Sequence, residues 1–293
     1  MVDIKGSIVA LITPFNEDGS VNFDKIGELL DWHIENGTDG VVMLGTTSES
    51  SAMNAEEDRK IMELAVKKVN GRIPIIANAG SNDTAVSKRK AQEFEACGAD
   101  ALLCITPYYN KTNKVGMYHH FADVADLVKI PMILYNVPGR TGCSISIDVL
   151  GELAQHDGIM GIKEASGDFS YATEAAKLIG PDFRMYSGND DTVVPLMSLG
   201  ASGVISVWAN LMPQTVHDMV QAWFDGDIVK ARDIQLKYNK LIKDLFIEVN
   251  PIPVKEAMNL AGMGIGGYRQ PLWEMSDEHK AELRREMTAL GLL

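Results

Sequence analysis

The chain has 293 residues, 46% of them hydrophobic and 23% charged, and a net charge of −13. That is enough chain for a large core, and acid spread along its whole length argues against a nucleic-acid or anionic-membrane partner while leaving a small anionic substrate open. Residues 1–6 carry no apolar leader, no apolar run could cross a bilayer, and Cys97, Cys104 and Cys143 show no paired spacing, so the expectation is a cytoplasmic protein with reduced thiols.

Strand and helix signals alternate from the start. An apolar strand is expected over 7–13, then a helix capped by Asn22, with Phe23, Ile26, Leu30 and Ile34 on one face and a stop at Gly37. The pattern repeats as strand 40–45 and helix 54–69, strand 73–78 and helix 83–97, and strand 100–106 and helix 115–128. It continues as strand 131–136 and helix 147–155, strand 158–163 and helix 171–179, strand 184–188 and helix 192–199, and strand 203–207 and helix 213–224. Eight such units predict a parallel sheet with crossover helices, closed as a (β/α)8 barrel over residues 1–226. A doubly wound sheet would place a glycine fingerprint after the first strand, where Thr13-Pro14-Phe15 stands instead. Residues 227–293 carry helical patterning only and read as a helical domain packed on the barrel.

A barrel does its chemistry where strands run into βα loops. The strand ends are Thr13, Thr46-Thr47, Asn78, Thr106, Tyr135-Asn136, Lys163, Ser187-Gly188 and Ser206, polar or small in contrast to apolar strand interiors. Helix capping accounts for some of these, but Tyr135 and Lys163 are not capping residues. A lysine at the rim of a buried strand loses hydration, which favours the neutral amine, and a neutral amine attacks a ketone to form a Schiff base. Alone, such a lysine is more often one that snorkels or pairs with a carboxylate such as Glu164. Tyr135 supplies a phenol that can pass protons beside it, and Arg140 in the next loop can clamp a carboxylate in a bidentate fork. Gly45-Thr46-Thr47-Ser48-Glu49-Ser50 offers hydroxyls and N–H groups for a second carboxylate.

Other candidates fit less well. The glycines of 262–267 follow no strand and read as a turn. His119 and His120 are adjacent, so a helix points them apart. Asn189-Asp190-Asp191 reads as a cap for the helix that it opens. Lys255 is a competing amine, but it is expected in the helical segment, away from the strand ends.

Together these motifs resemble the dihydrodipicolinate synthase family, within the N-acetylneuraminate lyase class of Schiff-base barrels. The likeness runs over essentially the whole chain. It rests on Gly45-Thr46-Thr47, Thr106-Pro107-Tyr108-Tyr109-Asn110, residues 135–141, Gly161-Ile162-Lys163-Glu164-Ala165, Ser187-Gly188 and residues 250–255. The resemblance implies an imine between Lys163 and pyruvate, held by Thr46, Thr47 and the Gly188 backbone with Ile205 nearby. It implies a proton relay of Tyr135, Thr47 and Tyr109, the last reaching a neighbouring subunit's site, and hence a homotetramer of tight dimers. Arg140 would bind the carboxylate of L-aspartate 4-semialdehyde, and the product would be 4-hydroxy-tetrahydrodipicolinate, on the diaminopimelate route to lysine. No metal and no separate cofactor is implied. The rival readings are a sister aldolase that cleaves sialic or 2-keto-3-deoxy sugar acids, and a non-catalytic barrel.

Two departures from the family pattern matter. Ser48 replaces a usual glycine, which would be strained if that position needed positive φ. Ala55, Asp58 and Val86 stand where lysine-inhibited members carry two histidines and a glutamate, leaving Ser50, Asn82 and Tyr108 as regulatory-pocket remnants. Weak or absent lysine inhibition is therefore expected.

Overall fold

The computed structural model describes residues 3–293, so the first two residues of the 1–6 stretch read for a leader lie outside it. Eight strands, β1 Gly6–Ala10, β2 Gly40–Met43, β3 Ile75–Asn78, β4 Ala101–Ile105, β5 Met132–Asn136, β6 Ile159–Glu164, β7 Arg184–Ser187 and β8 Gly203–Ser206, pair in parallel. They run in sequence order, and β8 pairs with β1 to close the barrel. Between and after them lie α1 Phe23–Glu35, α2 Ala55–Val69, α3 Thr84–Cys97, α4 Lys114–Ala125, α5 Pro138–Thr141, α6 Ile147–Leu153, α7 Phe169–Ala176, α8 Val193–Ser198 and α9 Pro213–Phe224. The remainder is helical: α10 Ile228–Asp244, α11 Ile252–Leu260 and α12 Asp277–Ala289.

Strand residues are buried on both faces, which is why the strands read as unbroken apolar runs. Ile8, Val42, Ile76, Leu103, Ile133 and Ile205 fill the barrel. Their neighbours Val9, Val41, Leu102 and Leu134 pack outward against the helices. Local chemistry fixes the helix starts. Asn22 accepts from the Lys25 N–H, and Asn54 and Glu57 form a reciprocal capping box at α2.

Several expectations shift in detail. β1 and β2 stop two or three residues early, because the chain leaves the ladder at the loops; Leu44 already takes a left-handed φ of 59°. α5 was expected as loop, although Pro138 in its first turn and Gly142 at φ 69° beyond its end are start and stop signals. The 262–267 stretch is the expected turn, with Gly262, Gly264 and Gly266 at positive φ, and the Phe15 N–H donates to its Ile265 carbonyl. All three cysteines are free, and burial in β4 pushes the Cys104 thiol up to about 12. No helix among the described residues is long and apolar enough to cross a membrane.

One irregularity bears on the site. Ile159 pairs with Met132 but Gly161 pairs with Ile133, so Met160 is an extra residue in β6. Beyond this bulge Lys163 pairs with Tyr135, and parallel neighbours face the same side. Lys163 thus shares the barrel interior with Tyr135, while Glu164 points outward and accepts from Asn136 Nδ2 at 3.0 Å.

Candidate active site

A cavity of about 160 Å³ opens at the carboxyl end of the strands. Its walls include Thr46, Thr47, Tyr135, Arg140, Lys163 and Gly188. Asn250 and Phe246, from the C-terminal helical segment, complete it. Six of the residues singled out from sequence therefore meet in one place.

Lys163 is 6% exposed, and its Nζ lies 4.4 Å from the centre of the Tyr135 ring. Burial lowers its pKa to about 8; the Asp190 carboxylate opposes that shift and Arg140 adds to it. The same burial raises the Tyr135 phenol to about 12, so it stays a proton donor at neutral pH. Gly188 has to be glycine for space: a Cβ there would stand 2.6 Å from the Ala165 Cβ and 3.1 Å from the Lys163 Cε. Its N–H donates to the Glu164 carbonyl at 2.7 Å and is not free for a ligand.

The Thr46–Ser48 turn is a 3₁₀ turn bracketed by Leu44 at φ 59° and Glu49 at φ 58°. Left-handed backbone costs a non-glycine residue about 1–3 kcal/mol, and such strain persists only where surroundings hold it. Here Asn78 Nδ2 donates to the Leu44 carbonyl, and Lys255 Nζ, 2.7 Å from Glu49 Oε1, pairs with that carboxylate. Positive φ falls on Glu49 and not on Ser48, so the serine carries no strain; its buried hydroxyl donates to the Leu11 carbonyl at 2.6 Å.

Two expectations are overturned. Lys255 is not away from the strand ends: it is wholly buried against them, donating to the Thr13 carbonyl as well as to Glu49. The α11 helix thus packs against the loops after β1 and β2, which helical patterning alone does not reveal. Asp190 does not cap its own helix. Its Oδ2 accepts from the Val207 and Trp208 N–H groups, both at 2.9 Å, and so caps the turn after β8. Ile205 packs inside the barrel beside Tyr135, while Val207 is the β8-side residue that lines the cavity. Tyr109 lies outside the cavity wall: it is 91% exposed at φ 67°. His120 is buried beside Thr84 and His119 faces Asp123, pointing apart as expected.

A second cavity of about 280 Å³ adjoins the first, and Thr46 and Arg140 line both. Ser50, Val86, Lys90 and Tyr108 complete it. Asn82 is not among its walls; the Asn82 carbonyl accepts from Asn110 Nδ2. Asp58 is buried and committed to Lys90 at 2.9 Å.

Sequence reasoning passed over Asn250 as a site residue. Its signal was its place in the 250–255 motif, but its partner Thr47 is 203 residues away.

Comparison with known proteins identifies the family. The model of the dihydrodipicolinate synthetase family matches residues 3–290. A 4-hydroxy-tetrahydrodipicolinate synthase of Thermoanaerobacter sp. (strain X514) is 52% identical over 290 residues, covering 99% of this chain and 97% of that one. The synthase of that name from Clostridium perfringens (strain SM101 / Type A) is 47% identical over 289 residues, covering 99% of each. The crystal structure of dihydrodipicolinate synthase from Aquifex aeolicus superimposes with a TM-score of 0.96 at 43% identity, covering 99% of each chain. Sequence and fold agree over nearly the full length, and the chain belongs to the dihydrodipicolinate synthetase family.

Proposed function

We propose that the chain condenses pyruvate with L-aspartate 4-semialdehyde to 4-hydroxy-tetrahydrodipicolinate, as a cytoplasmic step towards diaminopimelate and lysine. The observation that carries this reading is the desolvated amine of Lys163, under a cavity that also holds a protonated phenol and a guanidinium. The neutral amine adds to the C2 ketone of pyruvate, and the carbinolamine loses water to give the imine. Loss of a C3 proton gives the enamine, which attacks the aldehyde of the second substrate; the new alkoxide takes up a proton. The amino group of the semialdehyde then displaces Lys163 from C2 and closes the ring. Charge complementarity places the semialdehyde carboxylate on Arg140. No group besides the substrates and these side chains is required.

Protons pass through Tyr135 and a threonine hydroxyl. Thr47 was expected in that role, but hydrogen bonding favours Thr46. The Thr47 hydroxyl is already tied to Asn250, and nothing comparable holds the Thr46 hydroxyl among the described residues. Thr47 then serves to hold pyruvate.

Tyr109 supports assembly as tight dimers, and a tetramer of two such dimers rests on the family resemblance alone. A bulky residue at positive φ with its ring in solvent is unfavourable in a lone chain, and insertion into a second copy would bury it. Mixing inactive Tyr109→Phe and Lys163→Ala subunits should restore part of the activity; verified mixed dimers that stay inactive would return Tyr109 to its own subunit's site.

Borohydride reduction tests the reaction itself. With pyruvate the chain should gain one reduced adduct on Lys163, and pyruvate with the semialdehyde should turn over while N-acetylneuraminate is not cleaved. Absence of an adduct, or cleavage of sugar acids alone, would sink this reading.

The second cavity bears on regulation. A bound lysine would bring two ammonium groups to a pocket lined by Lys90, Arg140 and Val86, with no carboxylate among the described residues of its wall, while Asp58 beside it is already paired with Lys90. An unpaired buried charge costs several kcal/mol. Initial rates at sub-saturating pyruvate should therefore be unchanged up to about 1 mM L-lysine, the scale of roughly 4 kcal/mol of binding; half-inhibition below that would show the pocket binds lysine after all.

A further inference from the structure

Asn250 stands just before α11 and is 5% exposed. Its Nδ2 donates to Thr47 Oγ1 at 2.9 Å, and its backbone carbonyl accepts from Arg140 Nη2 at 3.3 Å. Its Oδ1 has no partner among the described residues, so the side chain's single hydrogen bond is the one to Thr47. Both side chains line the catalytic cavity.

A hydroxyl carries one hydrogen. When an N–H fills one of its lone pairs, that hydrogen must be donated in another direction. Thr47 is 3% exposed and makes no second side-chain hydrogen bond among the described residues. Its unspent hydrogen is therefore available to the cavity. An anionic keto acid in that cavity presents a carboxylate, which only accepts. We propose that Asn250 is a positioning residue that fixes the Thr47 hydroxyl as a donor to the pyruvate carboxylate. The C-terminal helical segment thereby sets affinity for the first substrate. This inference rests on the proposed function and adds a residue of the C-terminal segment to the grip on the first substrate.

Steady-state kinetics with each substrate varied in turn test it. Asn250→Ala should raise KM for pyruvate about tenfold, with kcat and KM for the semialdehyde within twofold of wild type. Asn250→Asp should raise KM for pyruvate further, because its carboxylate can only accept, takes the Thr47 hydrogen for itself and repels the substrate anion. It nearly conserves shape, so it carries the test should the alanine variant not fold. In a Thr47→Val background, where no hydroxyl is left to orient, Asn250→Ala should change KM for pyruvate by less than twofold.

Three results would overturn the inference: Asp at 250 with wild-type KM for pyruvate, full additivity of Asn250→Ala with Thr47→Val, or a fall in kcat at unchanged KM. A rise confined to KM for the semialdehyde would overturn it too, since that points to the Arg140 clamp. Borohydride trapping of wild type with pyruvate is run alongside. No wild-type adduct refutes the proposed function; an adduct together with unaltered variants refutes only the role of Asn250.

Discussion

Lys163→Met should abolish borohydride-stable labelling by pyruvate and lower kcat/KM by about 10³-fold or more, since Lys163 is the amine that lines the cavity. The chain should still fold. With a pKa of about 8 in place of 10.5, Lys163 binds fewer protons when folded than when unfolded. Stability contributed by this group therefore rises with pH between those values, and below about 8 the folded state carries the full cost of the buried cation. At pH 7 the methionine variant should consequently melt no lower than wild type. In wild type, the initial rate of imine formation should climb with pH and level off above about 8. At pH 7 roughly a tenth of such amines are neutral, against about three in ten thousand for an ordinary lysine. A rate still rising through pH 10 would mean that the amine is solvated and unperturbed. A methionine variant that still forms the adduct would move the chemistry to Lys255.

Lys255→Met should have the largest effect on stability. The ion pair with Glu49 is 2.7 Å long and both side chains are almost wholly buried. Lys255 Nζ also lies 4.4 Å from the Phe15 ring centre. Burial pushes the Lys255 pKa down and the Glu49 charge opposes this. Removing the amine leaves Glu49 buried with the Arg269 N–H as its remaining partner. Breaking one side of a buried pair costs about 3–5 kcal/mol. For a chain of this size that is on the order of a 10 °C drop in Tm. Thr46 and Thr47 sit in the turn that Glu49 closes, so KM for pyruvate should rise as well. A calorimetric melt within a degree of wild type would show that the pair does not hold the turn.

Much of the architecture was legible because local signals repeat. Apolar runs, the cap at Asn22 and the stop at Gly37, repeated in kind along the chain, gave the eight units to within a few residues of their ends. The amine, phenol and guanidinium were legible for a different reason: they are residue types that strand ends and capping do not otherwise call for. The errors share one cause. Lys255 reaches Glu49 across 206 residues, Asn250 reaches Thr47 across 203, and Asp190 reaches the next βα loop instead of its own helix. No periodicity or cap motif encodes a contact between segments so far apart. Which of the two threonine hydroxyls the C-terminal segment bonds was equally hidden, because Asn250 is so distant in sequence. The bulge at Met160 was hidden too, since an extra residue in a buried strand looks like any other apolar residue.

The union of the Thr46–Ser48 turn with the 250–255 segment has a consequence in time. Synthesis runs from the N-terminus, and domains begin to fold as they emerge. The reactive lysine, the phenol and the arginine all leave the ribosome well before Asn250 and Lys255. A growing chain thus holds all eight strands and Lys163 while the Thr46–Ser48 turn still lacks Asn250 and Lys255. Competence is the last property the molecule acquires. A chain cut short anywhere before residue 250 lacks the partners that both Thr47 and Glu49 find in the C-terminal segment.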